Sequence, residues 1–282
     1  MANKAQLIHA SPLEGPISTK AEAKKVEERQ AIGANVVYEA IRREGEEELN
    51  RRASALAWSA FAAGLSMGLS FISEALLMAH LPDRPWRPLL TKLGYSMGFL
   101  VVILGRQQLF TENTVTVVLP LLLRKNVATL TRFLRLWGIV LAANLVGTFL
   151  FALCVGKIAV LDPQAQAGLR AIGTAHLGSS FGIAFMRSIF AGWLIALMVW
   201  LLPGAETARV SIIVIVTYLI GLGGFNHIIA GSTTMMYLVV THVISWGTYF
   251  AQFFLPALLG NVLGGTSLVA ALGHAQVVAG KE

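Results

Sequence analysis

Leu104-Gly-Arg-Gln-Gln-Leu-Phe-Thr-Glu-Asn-Thr114 and Gly221-Leu-Gly-Gly-Phe-Asn-His-Ile-Ile-Ala-Gly-Ser232 interrupt two long apolar stretches where an unbroken helix is the default. Hydrocarbon offers a loose backbone no hydrogen bonds. Non-helical chain at that depth therefore persists only inside protein or beside a wet cavity. Two such breaks in corresponding places point to a permeation site.

The surrounding composition agrees. Of 282 residues, 55% are hydrophobic and only 13% charged, with mean hydropathy +0.66, whereas soluble domains carry about 25% charged residues. Residues 1–52 hold nine basic and nine acidic side chains, and the other 230 hold 13 and six. The chain reads as a polar head on a membrane body. A positive-inside bias accounts for the net charge of +7 without nucleic acid. The single cysteine, Cys154, lies in an apolar run and reads as an inert buried thiol. Met1–Arg52 has no secretory signal.

A spanning helix needs about 20 mainly apolar residues, and six segments qualify: 53–78, 93–123 (broken near Leu109), 134–155, 181–202, 210–240 (broken at Gly223–Gly231) and 246–272. A polar loop with Asp162, Pro163 and Arg170 separates the third from the fourth. Six spans place both termini on one side. Eight basic residues on the short segments of that side, against five on the other, favour cytoplasmic termini. The expected division is a cytoplasmic head at 1–52, a channel domain at 53–272 and a cytoplasmic tail at 273–282. Within the head, Val26, Ile32, Val36, Val37 and Ile41 outline a partly amphipathic surface helix that Gly33 and Gly45 weaken; the alternative is a solvated tail.

Asn144-Leu-Val-Gly147 recurs as Asn261-Val-Leu-Gly264, 117 residues later, and the same offset carries Phe110 onto His227. Three spans per half is an odd number, so related halves must be inverted. Gly64-x-x-x-Gly68 and Gly260-x-x-x-Gly264 permit close helix contact, either within the chain or between copies.

The sequence resembles the formate/nitrite transporter family. The likeness is carried by Leu109-Phe-Thr111 with Asn113, Trp137-Gly-Ile-Val140 with Asn144 and Gly147, and Phe185-Met-Arg187 with Trp193-Leu-Ile195. It continues through Gly224-Phe-Asn-His227 with Ala230, and Leu259-Gly-Asn-Val262 with Gly264-Gly265. These stretches cover the membrane body in order. The resemblance implies an all-α, aquaporin-like membrane fold, with six transmembrane helices in two inverted three-helix repeats and two of them interrupted. It also implies a homopentamer in a bacterial inner membrane, one pore per subunit, passing a small monovalent anion or its weak acid.

His227 is the one histidine that falls in a break at mid-membrane depth, where an ionisable residue is a functional hypothesis by default. The competing reading is a neutral core histidine bonded to a backbone carbonyl. Bringing a carboxylate-sized ion into a dry constriction costs on the order of 20 kcal/mol in the ideal case and several after relaxation. A dry site favours the neutral forms of both acid and imidazole. Histidine therefore suits donating a proton to, or hydrogen-bonding, a desolvated anion, while half-helix N-termini at the breaks add fixed positive potential. Thr111 and Asn226 border the breaks and can bond a solute or the loose backbone. By resemblance, Leu109, Phe110 and Thr111 face the pore. Tyr95, Phe99 and Ile195 fall at the apolar constrictions, where periodicity alone reads ordinary core. Asn261 borders the histidine, where a helix–helix hydrogen bond is the plainer role.

The chain departs from the family's usual loop, Glu-Leu-Phe-Thr-Gly-Asn, which here is Gln108-Leu-Phe-Thr-Glu112-Asn113. Arg106 replaces a preferred glycine, and Arg106 with Glu112 is expected to form a pair locking the loop. The family's vestibule lysine before the fourth span is missing; His176 falls at about that place. Gly192 stands for a frequent asparagine, and Asn226 for a common glutamate. Formate, nitrite and hydrosulfide are the candidate solutes. A neutral-solute pore, and a membrane scaffold acting through the charged head, remain alternatives. Gly-rich phosphate loops, paired metal ligands and a nucleophile elbow are absent from the sequence, so neither enzyme activity nor a cofactor is expected. Gly178-Ser-Ser and Gly231-Ser232 read as short turns.

Overall fold

The computed structural model describes residues 32–158, 160–267 and 273, and its regular elements are all helical. Among the described residues ten helices run in chain order, besides short 3₁₀ turns at Glu112–Thr114 and Leu202–Gly204. They are α1 (Ala34–Asn50), α2 (Ala53–His80), α3 (Arg87–Leu104, with a 3₁₀ turn at Lys92–Tyr95), α4 (Val118–Arg124), α5 (Val127–Lys157) and α6 (Pro163–Thr174). They continue as α7 (Phe181–Leu201), α8 (Arg209–Leu222), α9 (Ile228–Val240) and α10, residues 246–265. Among the described residues four stretches are long and apolar enough to cross a membrane: α2, α3, α5 and Phe181–Gly204, while α8 and α9 are shorter apolar helices. The end of the sixth expected span and, apart from Gly273, the expected tail lie outside the described residues.

Local signals explain the boundaries. Asn126, Asp162 and Ser180 accept from the N–H groups of Thr129, Ala165 and Ile183, capping α5, α6 and α7. The expected polar loop at 162–170 is therefore a helix: Asp162 caps it, Pro163 opens it, and Ala165, Gly168, Leu169 and Ile172 form its buried face. Gly231-Ser232 lies in the first turns of α9, because helix resumes at Ile228. Inside α10, Tyr249–Phe254 is π-helical.

Two tight helix pairs form the frame. In the α2–α5 pair, a Cβ on Gly64 would strike the Asn144 carbonyl, and one on Gly147 the Phe61 carbonyl. The α7–α10 pair repeats this, with Gly192 against the Asn261 carbonyl and Gly264 against the Ile189 carbonyl. Close backbone approach needs such small residues. Gly64, Gly68, Gly260 and Gly264 all meet atoms of this same chain, which settles their use within it. Cys154, expected to be buried, is exposed on the outer face of α5, with Leu150 and Leu153 as exposed neighbours.

Helix α1 lies across the ends of the body. Val37, Tyr38, Ile41 and Leu49 are buried, Val36 and Ile32 are exposed, and Val26 lies outside the described residues. Gly45 does not weaken this helix's place but makes it, since its bare Cα sits against the Thr116 carbonyl of the first break. Arg124 reaches Glu46 at 2.8 Å, and Arg135 donates to the Leu49 and Arg51 carbonyls at 3.1 and 3.0 Å.

Candidate functional site

Both expected breaks are present, and they share a backbone design. At the first, the N–H groups of Gly105, Arg106 and Gln107 close onto the carbonyls of Val101, Ile103 and Val102. At the second, those of Gly223, Gly224 and Phe225 close onto Leu219, Gly221 and Ile220. Arg106 (φ +50°) and Gly224 (φ +61°) take the same left-handed conformation. Beyond the turns the chain reaches Phe110 and Ile228, whose N–H groups donate to Asn144 Oδ1 at 2.9 Å and Asn261 Oδ1 at 2.7 Å. Each asparagine returns two bonds from Nδ2: Asn144 to Ala60 O and Gln108 O, and Asn261 to Ser188 O and Asn226 O, all at 2.6–2.9 Å. At each break one amide thus meets three orphan backbone groups that hydrocarbon cannot satisfy, and Ser59 Oγ accepts a further one, the Gln108 N–H, at 3.1 Å.

This equivalence corrects one alignment. The loops match at an offset of 118, pairing Phe110 with Ile228 and Leu109 with His227, whereas the asparagines match at 117. The difference reflects one residue gained between break and asparagine in the first half, which repeated tetrapeptides cannot reveal.

The breaks meet at His227. It caps α9, is 1% exposed, and its Nδ1 accepts the Ala230 N–H at 3.2 Å. That leaves the proton of the neutral ring on Nε2, which lies 2.8 Å from Thr111 Oγ1. With Nε2–H donating, the Thr111 hydroxyl keeps its own hydrogen for another acceptor. Phe99 sets its ring edge to the imidazole at 5.0 Å, and Tyr95 lies 5.4 Å beyond Phe99. Tyr95, Phe99, His227 and Thr111 thus form one continuous line. Tyr95, Asn226 and His227 also border a small cavity of about 20 Å³.

Other candidates sit differently. Asn226 donates from Nδ2 to Ala184 O at 3.3 Å, a tie to α7. Phe110 is buried and turns its ring to Trp137 at 5.2 Å. Leu109 and Ile195 are fully buried and border neither this cavity nor the larger one described next. Asn261 makes the backbone bridge and holds the residues on both sides of His227.

At the opposite end of α3 lies a cavity of about 710 Å³, between α1 and the first break. Arg43, Glu44, Glu48, Arg106, Glu112 and Arg209 supply charges of both signs. The expected Arg106–Glu112 lock is not made; no ion pair joins them among the described residues. The left-handed turn at Arg106 carries its side chain to an exposed position, away from the loop's interior.

Sequence reasoning passed over Glu74 and Lys92. Glu74 is 3% exposed within α2 and pairs with Lys92 Nζ at 2.5 Å beside the small cavity. An acid inside an apolar span was the available signal.

Comparison with known proteins completes the picture. The family model for the formate/nitrite transporter matches residues 35–275. Inner membrane protein YfdC of Escherichia coli (strain K12) is 39% identical over 272 residues, covering 95% of this chain and 88% of the relative. Formate channel BtFdhC of Bacillus thuringiensis is 27% identical, with 84% and 90% covered. Among solved structures, a pentameric formate channel with formate bound superimposes with TM-score 0.68 at 21% identity, covering 82% of this chain and 98% of that one. An FNT family ion channel reaches 0.70 at 21% identity, covering 86% and 98%. The chain is a multi-pass membrane transport protein, and it belongs to the formate/nitrite transporter family.

Proposed function

We propose that the chain is a channel or weak-acid transporter for a small monovalent anion, with formate as the lead solute and His227 and Thr111 as its central polar contacts. The observation that carries this reading is the 2.8 Å bond between Thr111 Oγ1 and His227 Nε2, which joins the two breaks in a buried centre. An anion arriving there meets the Thr111 hydroxyl hydrogen, on an oxygen that already accepts the His227 Nε2–H, in place of its lost water. Both donors sit on non-helical backbone already satisfied by Asn144 and Asn261, so the site needs little reorganisation to receive charge. Held on this pair, the anion takes a proton that reaches it from solution, and the neutral acid then crosses Phe99 and Tyr95, where the charged form pays the larger desolvation cost.

The full architecture belongs to the same proposal: six spans in two inverted three-helix repeats, aquaporin-like, with the breaks in α3–α4 and α8–α9. The matched hydrogen bonds of the two breaks support it, as do the solved neighbours. Five copies would form the assembly, each with its own pore. We place it in the inner membrane with residues 1–52 and 273–282 cytoplasmic and 53–272 as the channel. Tyr95, Phe99 and Ile195 are proposed as apolar constrictions. Leu109, Phe110, Asn226 and Asn261 are proposed as the wall around the contact site.

The test is formate uptake into proteoliposomes holding a proton-sensitive dye. Wild-type uptake should be far faster at pH 5 than at pH 8, and His227→Phe should abolish the coupled signal while the oligomer stays intact on size exclusion. Unchanged coupled uptake in that variant rejects the role of His227. Uptake of equal rate at both pH values identifies a neutral-solute pore instead.

A further inference from the structure

The small cavity beside His227 is bordered at its far end by Glu74, Lys92 and His176, three polar groups from three parts of the chain. Lys92 is the one cation in that lining; Arg187 lies outside it and donates to Ser179 Oγ at 3.3 Å. Lys92 opens the 3₁₀ turn Lys92–Tyr95, and Tyr95, one turn on, begins the aromatic line to His227. The turn is fixed firmly. Ser70 Oγ donates to Tyr95 O at 2.5 Å and accepts the Gly98 N–H at 3.0 Å, and Gly94 rides against the Glu74 backbone. Lys92 is thus held at the mouth of the route by its backbone as well as by its ion pair.

We propose, resting on the transport reading above, that Lys92 is the capture site for the anionic solute at this mouth and that Glu74 sets its strength. An ammonium has three donor hydrogens, and Glu74 Oε2 takes one. The others remain for a second carboxylate, and the Lys92 side chain keeps 24% of its surface open where Glu74 keeps 4%. A formate ion is the carboxylate of Glu74 without its stem, so it competes for the same donors with the same geometry. The buried carboxylate beside the ammonium cancels most of its charge at a distance. Capture is therefore weak, and the solute leaves inward as the neutral acid once it takes a proton from solution at the mouth, which suits a conduit better than a tight binding site. His176 completes the mouth. Its Nδ1 lies 2.9 Å from Ile172 O, so Nδ1 carries the hydrogen and Nε2 is left as an acceptor in the neutral ring. That acceptor favours a protonated acid over its anion, and divides the mouth into a group that takes the anion and one that takes the acid.

The experiment compares formate uptake by the wild type, Glu74→Gln and Glu74→Gln/Lys92→Gln, all checked for intact oligomer. The two variants differ only at Lys92. Glu74→Gln unmasks the ammonium, and its KM for formate should fall below that of the double variant by about fivefold, the size of one partly exposed ion pair. The gap should shrink as salt rises, since screening acts on the open face of Lys92. A loss of packing alone would move maximal flux and stability, not a salt-dependent KM. Equal KM values with equal salt dependence overturn the proposal. Absence of formate uptake by the wild type itself defeats the transport reading instead.

Discussion

Replacing Asn261 with Leu removes the side chain that makes three hydrogen bonds at the second break. Three backbone groups lose their partner: the Ile228 N–H at 2.7 Å, the Ser188 carbonyl at 2.7 Å and the Asn226 carbonyl at 2.8 Å. Asn261 is fully buried, and water does not substitute without a change of structure. Interhelical hydrogen bonds in membranes average about 0.6 kcal/mol each, which puts the lower limit near ~2 kcal/mol. A buried polar group left unpaired costs about 1–3 kcal/mol, so three set an upper range on the order of 3–9 kcal/mol. We expect about 3 kcal/mol, seen as a fall of roughly 6–12 °C in the midpoint of oligomer loss on heating. Because Ile228 N–H and Asn226 O flank His227, formate flux should fall with it. Asn261→Asp keeps the acceptor for Ile228 but turns a carboxylate on two carbonyls, and should be no better than Leu. Asn144→Leu should behave alike, since it meets the same three kinds of group at the first break. A Leu variant that melts with the wild type and conducts like it refutes the reasoning.

Two further outcomes are expected. Gly224 has φ +61° and open space where a Cβ would go, while Arg106 takes φ +50° without glycine's freedom. Left-handed backbone costs an L-residue about 1–2 kcal/mol, and glycine's looser unfolded chain returns about 0.4–1. Gly224→Ala should destabilise by about 1 kcal/mol and Arg106→Gly stabilise by about the same, with melting shifts of opposite sign; shifts of the same sign contradict the shared geometry. On α1, burial against the body, opposed by Arg51, holds the Glu48 carboxyl above the usual carboxylate range. A raised acid loses folded stability as pH rises from about 4.3 through its folded value. Glu48→Gln should therefore melt higher than the wild type at pH 7.5 and together with it at pH 4; a constant gap at both pH values removes titration as the cause.

The membrane class, the two breaks and the place of His227 within one of them were legible because hydropathy and backbone satisfaction act along the chain, whereas Asn261 stood out only through the repeated tetrapeptide and the family resemblance. A run of apolar residues must span, and glycine with polar residues inside it must be non-helical and supported. The small-residue repeats at Gly64 and Gly264 were legible too, but not their partners. Tertiary structure alone decided that Asn144 and Asn261 supply the support, since a side chain amide chooses its carbonyls by proximity across helices far apart in sequence. It also decided that Arg106 and Glu112 stay apart, because a left-handed residue redirects a side chain by an angle no spacing records. The 162–170 segment became helix through a cap and a buried face that needed α2 to lie against it. The pairing of Glu74 with Lys92 joins two elements through the close approach at Gly94, a contact that exists only once α2 and α3 are packed.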